Sequence, residues 1–97
     1  MSFQYHVVDL FEKMGYKKIR VDDFISAQYE DEKTGILCVD STLVDYSTLV
    51  NFYSQLRTND YTRGFIFTSG LFTKEAIDYP DEIAENIKLS LIKHKKV

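Results

Sequence analysis

The 97-residue sequence has one cysteine, one proline, four glycines and no tryptophan. A single cysteine excludes a disulfide framework and a cysteine-based zinc site within the chain. Cys38 lies inside the apolar run Ile-Leu-Cys-Val, a setting that favours a buried thiol over a nucleophile. So few prolines and glycines leave no room for a long linker or a low-complexity segment.

The sequence also lacks an excess of positive charge. Its 12 lysines and arginines are outnumbered by 15 aspartates and glutamates, giving a net charge of −3. The overall balance therefore does not favour attraction to a phosphate backbone. We interpret the basic C-terminal cluster, Lys93 to Lys96, as a solvated tail in preference to a binding patch. Without a signal peptide or a membrane-spanning run, the sequence predicts a cytoplasmic or nuclear protein with no membrane partner.

What the sequence does contain is material for a core, with 44% hydrophobic and 14% aromatic residues. The apolar spacing predicts helices over about 3–14 and 45–56, and a short helix that starts at Thr73 and is stopped or interrupted by Pro80. Apolar runs and alternation predict strands over 17–21, 24–30, 36–40, 64–69 and 87–92. The polar run 30–35, which ends in Gly35, is predicted to be a hairpin turn.

This order of elements predicts a mixed sheet. The first three strands are expected to be antiparallel, and a right-handed crossover then adds a parallel neighbour. Helices should cover both faces, and we expect residues 1–97 to form a single α/β domain. The aromatic residues, among them Tyr29 and Tyr46, are predicted to belong to the core and not to a base-stacking platform.

Two segments resemble a known family. Segment 10–16, Leu-Phe-Glu-Lys-Met-Gly-Tyr, is similar to the helix and Gly-Tyr step that opens Mrr-type domains. Segment 64–76, Gly-Phe-Ile-Phe-Thr-Ser-Gly-Leu-Phe-Thr-Lys-Glu-Ala, resembles the strand, Thr-Ser-Gly turn and helix start of their second half, and 87–92 is similar to their last strand. The sequence thus resembles the restriction-endonuclease-like superfamily of PD-(D/E)XK nucleases, which implies a mixed sheet of about five strands in the order αβββαβαβ. It bears a more distant likeness to the N-terminal jaw domain of the fifth subunit of eukaryotic RNA polymerases, a non-catalytic relative.

The resemblance implies where a catalytic site would lie. Nucleases of this superfamily hold a divalent cation with an Asp on the second strand and an acid or Gln on the third. A Lys two positions further along the third strand assists the attacking water. An ungapped match places these three functions at Ser26, Val39 and Ser41. We therefore expect these positions to be degenerate, with no catalytic residue and no metal ligand among them.

A catalytically degenerate domain is the first hypothesis. It would need no cofactor and would bind a protein partner or a second copy of itself, with duplex DNA as the less favoured partner. The candidate nucleic-acid-binding residues are Lys74, Lys93, Lys95 and Lys96.

An active enzyme is the second hypothesis, namely an Mg²⁺-dependent DNA endonuclease of Mrr type. Its catalytic acids would be rearranged and drawn from Asp22, Asp23 and Asp40. A one-residue shift of register brings Asp40 into the acidic position, but it also turns the side chain to the other face and leaves Thr42 where the Lys is needed.

Overall fold

The computed structural model describes residues 3–83 and 87–93. Within this part of the chain, three helices and seven strands follow one another: α1 (Phe3–Lys13), β1 (Lys17–Val21), β2 (Ile25–Tyr29), β3 (Glu32–Val39), β4 (Leu43–Val44), α2 (Tyr46–Thr58), β5 (Arg63–Thr68), β6 (Leu71–Phe72), α3 (Lys74–Glu82) and β7 (Lys88–Lys93). None of these helices is long and apolar enough to span a bilayer.

A five-stranded mixed sheet forms the centre of the molecule, in the order β1-β2-β3-β5-β7. The pairs β1–β2 and β2–β3 are antiparallel, whereas β3–β5 and β5–β7 are parallel. The predicted mixed sheet and its change from antiparallel to parallel pairing are confirmed. The strands β4 and β6 form a separate parallel pair.

Helices cover both faces of the sheet, as predicted. The helix α1 buries Val7 and Phe11, four positions apart on one helical face, against the cluster that contains Ile36 and Phe67. The helices α2 and α3 bury their apolar residues against the opposite face, in a cluster that contains Leu49, Phe52, Leu56, Ile66, Ala76, Tyr79 and Leu89. The sheet therefore separates two cores, and each depends on the alternation of side chains along β3 and β5.

Two glycines meet beneath α2. Gly35 of β3 and Gly64 of β5 are Cα partners in the parallel ladder. A Cβ at Gly64 would lie 2.5 Å from Leu56 Cδ1 and 2.8 Å from Leu89 Cδ2, and a Cβ at Gly35 would overlap Leu56 Cδ2. Leu56, which is fully buried, thus fills the space that the two missing side chains leave. This contact lets α2 lie close to the sheet.

The prediction of a six-residue hairpin turn is wrong. The strand β3 begins at Glu32, and because Tyr29 pairs with Glu32 only Glu30 and Asp31 form the loop. Glu30 adopts a φ of 56°, the positive value that two-residue hairpins require. Gly35 lies inside the strand, where it makes room for Leu56 instead of making a turn.

Other differences from the predictions have simple causes. The strands β4 and β6 are too short to show a period in the sequence. The helix α3 continues through Pro80 to Glu82, because Pro80 lies in the last turn and removes only one hydrogen bond there. Tyr29 and Tyr46 are 43% and 44% exposed, so the prediction that these two residues belong to the core is wrong.

We expect Gly64→Ala to lower the free energy of unfolding by about 1–3 kcal/mol, because the added methyl group overpacks the space that Leu56 and Leu89 occupy. Leu56→Ala should cost about 2–5 kcal/mol through the cavity it leaves. The double variant should cost less than the sum of the two, since the shortened side chain at position 56 makes room for the new methyl group. Urea unfolding followed by circular dichroism measures all three.

Ser54→Ala, on the exposed face of α2, is the control for these variants and should change stability by less than about 0.5 kcal/mol. Strict additivity of Gly64→Ala and Leu56→Ala would show that the two sites are not coupled and would contradict the packing of Leu56 against Gly64.

Candidate functional site

The carboxyl ends of β3, β5 and β7 meet at one edge of the sheet because these strands are parallel. The β1–β2 turn, which contains Asp22 and Asp23, reaches the same edge because β2 runs antiparallel to β3. The helices α2 and α3 begin there too, directly after β4 and β6. We call this region the carboxyl edge, and it is where the predicted site residues near the end of β3 lie.

A side-chain hydrogen bond joins the ends of β3 and β5 at the carboxyl edge. Asp40 directly follows β3 and Ser69 directly follows β5. Ser69 Oγ donates to Asp40 Oδ1 over 3.0 Å. Val39 and Thr68 are the last Cα partners of this ladder, so the bond extends the pairing of the two strands by one step. Asp40 therefore has a structural role in tying β3 to β5.

Ser41 closes the turn between β3 and β4. Its Oγ donates to the Leu43 carbonyl over 2.8 Å and accepts from the Leu43 N–H over 3.2 Å. Gly70 packs on this turn, where a Cβ would overlap Ser41 O and lie 2.5 Å from Thr42 O. The Thr-Ser-Gly turn after β5 thus needs its glycine because two turns touch backbone to backbone.

Asp45 caps α2. Its Oδ1 accepts hydrogen bonds from the Thr48 N–H (3.1 Å), from Thr48 Oγ1 (2.9 Å) and from Ser47 Oγ (3.0 Å). These bonds hold the pKa of the Asp45 carboxyl below its usual value because they stabilise the charged form. The bond from the Thr48 backbone has the largest effect. Thr73 plays the same part for α3 and accepts from the Ala76 N–H over 3.1 Å.

Two of the predicted acids have different surroundings. Asp23 lines a shallow cavity of about 210 Å³ together with Leu37, on the α2 side. Asp40 does not line this cavity and instead accepts the hydroxyl of Ser69 just beyond the end of β3. Residues 3–83 and 87–93 contain no group of three or more His, Cys, Asp or Glu side chains placed to hold a metal ion.

Cys38 is a structural residue on the α1 side. It is partly buried and packs against the cluster that contains Ile36 and Phe67. Burial raises the pKa of the Cys38 thiol to about 11, since the thiolate is poorly solvated there. The group is therefore protonated at neutral pH, as expected for a thiol that acts as a small apolar side chain.

Comparison with known proteins decides the family. The family model Mrr_cat, described as a restriction endonuclease, matches residues 1–97. The chain belongs to the Mrr-type restriction endonuclease family. No curated protein matches it.

A solved structure shares the fold. The crystal structure of the protein of unknown function AF1548 superposes with a TM-score of 0.69 at 20% sequence identity, over 91% of this chain and 55% of that chain. This Mrr-type chain thus spans about half the length of that neighbour, and a likeness at this identity concerns the fold alone.

The three positions matched to the Mrr-type catalytic residues do not meet in space. Ser26 is the Cα partner of Gly35, which lies four residues before Val39, or about 13 Å along β3. Val39 packs into the α2-side core, and Ser41 lies beyond the strand in the turn to β4. A hard divalent cation needs several converging oxygen ligands, and valine supplies none. These positions therefore do not fit an Mg²⁺ site, although their assignment as the degenerate site stays a prediction.

Two of the four lysines predicted to bind nucleic acid lie at the carboxyl edge. Lys74 is the first residue of α3 and Lys93 the last of β7, where it is the Cα partner of Thr68. Both are exposed. Lys95 and Lys96 lie outside the described residues, and a role of these lysines in binding stays a prediction.

Sequence reasoning missed a positively charged surface on the α2 side of β1, β2 and β3. A shallow cavity of about 270 Å³ lies there, lined by Lys18, Arg20, Gln28, Lys33 and Tyr61 among others, and Lys17 is the Cα partner of Gln28. We call the surface formed by Lys17, Lys18, Arg20, Gln28, Lys33 and Tyr61 the basic groove. The available signal was the Lys-Lys-Ile-Arg run at 17–20, but only the strand register shows that Lys33 joins it.

We expect Asp45→Ala to lower the thermal midpoint at pH 7, because α2 loses its cap, whereas Asp45→Asn should retain most of the stability since Asn is also a good cap. A lowered folded pKa means that the charge-dependent stabilisation is present above the unfolded value of about 3.8 and is lost as the pH falls through the folded value. The difference in thermal midpoint between wild type and Asp45→Asn should therefore shrink as the pH falls below about 4. Thermal melts at four pH values measure it, and a difference that does not vary with pH would refute this role of the Asp45 charge.

Proposed function

We propose that the chain is a catalytically degenerate Mrr-type domain that serves as a binding module. The observation that carries this proposal is the structural use of the third strand. Val39, at the position of the metal-binding acid, is half-buried and packs against the α2-side core, and Ser41, at the position of the lysine, closes the next turn. A side chain engaged in these roles contributes neither an oxygen ligand nor a positive charge to phosphodiester cleavage.

The competing function is an Mg²⁺-dependent endonuclease that uses Asp22, Asp23 and Asp40. One feature favours it, namely that all three acids lie at the carboxyl edge. Against it, the Asp40 carboxylate accepts the Ser69 hydroxyl, while Asp23 lines a cavity that does not include Asp40. Among the described residues, no three His, Cys, Asp or Glu side chains are placed to hold one metal ion, and a hard divalent cation needs several converging oxygens. The degenerate domain is therefore the better supported of the two.

A binding module of this kind has to offer a surface, and the edge strand β1 is a poor one for pairing with a second copy. It is five residues long, it contains a register shift between Lys17 and Arg20, and most of its residues are exposed. Lysines and bulges on an edge strand oppose edge-to-edge pairing. The sequence predicts another protein or a second copy of the chain as the partner, with duplex DNA less favoured, and this stays a proposal. The edge strand β1 favours a partner that does not bind by adding a β-strand.

We expect no cleavage of supercoiled plasmid DNA in Mg²⁺ or Mn²⁺ above the level given by Asp40→Asn. That variant is the matched control, because the introduced amide oxygen can still accept the Ser69 hydroxyl while the carboxylate charge is lost. Agarose gels over a time course measure nicking, and circular dichroism verifies that both proteins are folded. Metal-dependent nicking that wild type performs and Asp40→Asn lacks would establish the endonuclease and exclude the degenerate domain.

A further inference from the structure

The two edge strands of the main sheet differ in how well they oppose pairing with another strand. The strand β1 contains a register shift, and three of its five residues are cationic. The strand β7 is regular, since its six residues have consecutive Cα partners on β5, from Lys88 with Arg63 to Lys93 with Thr68. Its lysines stand at its two ends, and residues 89–92 between them carry no charge. An edge strand without a bulge or a central charge is open to pairing.

The backbone of β7 presents hydrogen-bonding groups at this edge. The Lys88 N–H donates to the Thr62 carbonyl at the start of β5 over 3.4 Å. Because successive residues of a strand direct their N–H and C=O groups to alternate sides, those of Leu89, Leu91 and Lys93 point away from β5. Among the described residues β7 is the last strand of the sheet, so no strand pairs with these groups. They are the groups to which an added strand would bond.

The side chains of β7 leave apolar surface uncovered on both faces of the sheet. Leu89 is buried in the α2-side core, whereas Leu91, two positions along on the same face, is half-buried. Ile92 is half-buried on the α1 side, the face to which alternation also assigns the small Ser90. A strand added beside β7 would cover the exposed part of Leu91 and of Ile92.

We infer that β7 pairs with the β7 strand of a second copy of the chain, antiparallel and about a twofold axis at Ser90. An axis perpendicular to the sheet keeps the α1 side of one copy next to the α1 side of the other. Leu89 then lies opposite the partner's Leu91, and both have outward backbone groups, so they form a hydrogen-bonded pair. Two five-stranded sheets thereby become one continuous sheet.

Self-complementarity of β7 favours a second copy over an unrelated strand. The order Leu-Ser-Leu at 89–91 is the same in both directions, so an antiparallel copy sets leucine against leucine and the small serine against itself. Lys88 falls opposite the partner's Ile92, and Lys93 opposite the partner's Ile87. No two lysines therefore face each other, an arrangement that would oppose pairing.

The twofold arrangement is also closed. Once both β7 strands are paired, each end of the joined sheet is a β1 strand, whose bulge and cations oppose further addition. The structure therefore favours a dimer and not an open fibre.

This inference names the partner of the proposed binding module and in that respect rests on the proposed function. The pairing uses none of the acids Asp22, Asp23 and Asp40. Mass measurements on the dimer are thus independent of the plasmid assay, and either proposal can fail without the other.

Sedimentation equilibrium of the wild-type chain tests the inference first. We expect a dimer, with twice the 11.3 kDa mass of the chain, at micromolar concentrations. A monomer throughout the micromolar range would overturn the inference.

A pair of variants at Leu91 tests the backbone bonds. Leu91→Pro removes the outward N–H, which proline permits at a sheet edge, and Leu91→Ala is the matched control because it shortens the same side chain and keeps the N–H. The dimer Kd of Leu91→Pro should exceed that of Leu91→Ala by about tenfold or more, since symmetry removes two hydrogen bonds. Circular dichroism verifies that both fold. Equal Kd values for the two folded variants would overturn the inference.

A cysteine at the axis tests the register without proline. In a Cys38→Ala background, Ser90→Cys should form a disulfide between two copies under mild oxidation, because opposite residues of a non-hydrogen-bonded pair have Cα atoms about 4.5 Å apart. Lys88→Cys in the same background is the control, since the two copies of position 88 would lie about 14 Å apart. Non-reducing gels measure the cross-linked dimer. Failure of Ser90→Cys to cross-link, or equal cross-linking by Lys88→Cys, would also overturn the inference.

Discussion

The close approach of α2 to the sheet depends on Leu56 filling the space above two glycines. Gly35 and Gly64 face each other across β3 and β5, the two most central parallel strands, and larger residues there would lift the helix away from the sheet. Interiors are close-packed, so a shift of α2 would open the whole α2-side core. The same shift would move Asp45, the cap at the start of α2, and with it the carboxyl edge. The geometry of that edge is thus fixed by a packing contact about one helix length away.

The sequence predicts those parts of the fold that depend on local periodicity. The spacing of Val7 and Phe11 is sufficient to place α1, and the alternating and apolar runs place all five strands of the main sheet to within a few residues. Gly35 could not be interpreted correctly, because a glycine that ends a polar run is typical of a turn, and its true role depends on Leu56, 21 positions further along the chain. The strands β4 and β6 could not be predicted from the sequence, for a different reason. Two residues cannot show a period, and their pairing follows from the contact of two distant turns.

The candidate site was harder to predict than the fold because it depends on strand register. An ungapped match assigns Ser26 and Val39 to one site, but pairing of Ser26 with Gly35 separates them along β3. The match does identify Val39 and Ser41 as residues without metal-binding chemistry, and that follows from residue type alone. The basic groove requires information that a linear sequence does not hold. Its cations come from two strands that are not neighbours, and a bulge at Lys18 turns one of them toward the surface.

Acidic residues gather at the carboxyl edge of the described part of the molecule. Asp22, Asp23, Asp40 and Asp45 lie there, together with Lys74 and Lys93. The opposite end of the sheet is mixed in charge, because Lys17, Lys18 and Lys33 lie near Glu30, Asp31 and Glu32 of the hairpin. Like charges that gather at one edge repel one another, and a nearby opposite charge or a hydrogen bond to the charged group reduces that cost. Lys74 and Lys93 supply the opposite charge at the carboxyl edge, and the hydroxyl of Ser69 supplies the hydrogen bond to Asp40. The acids of this edge are thus compensated by the chain's own residues.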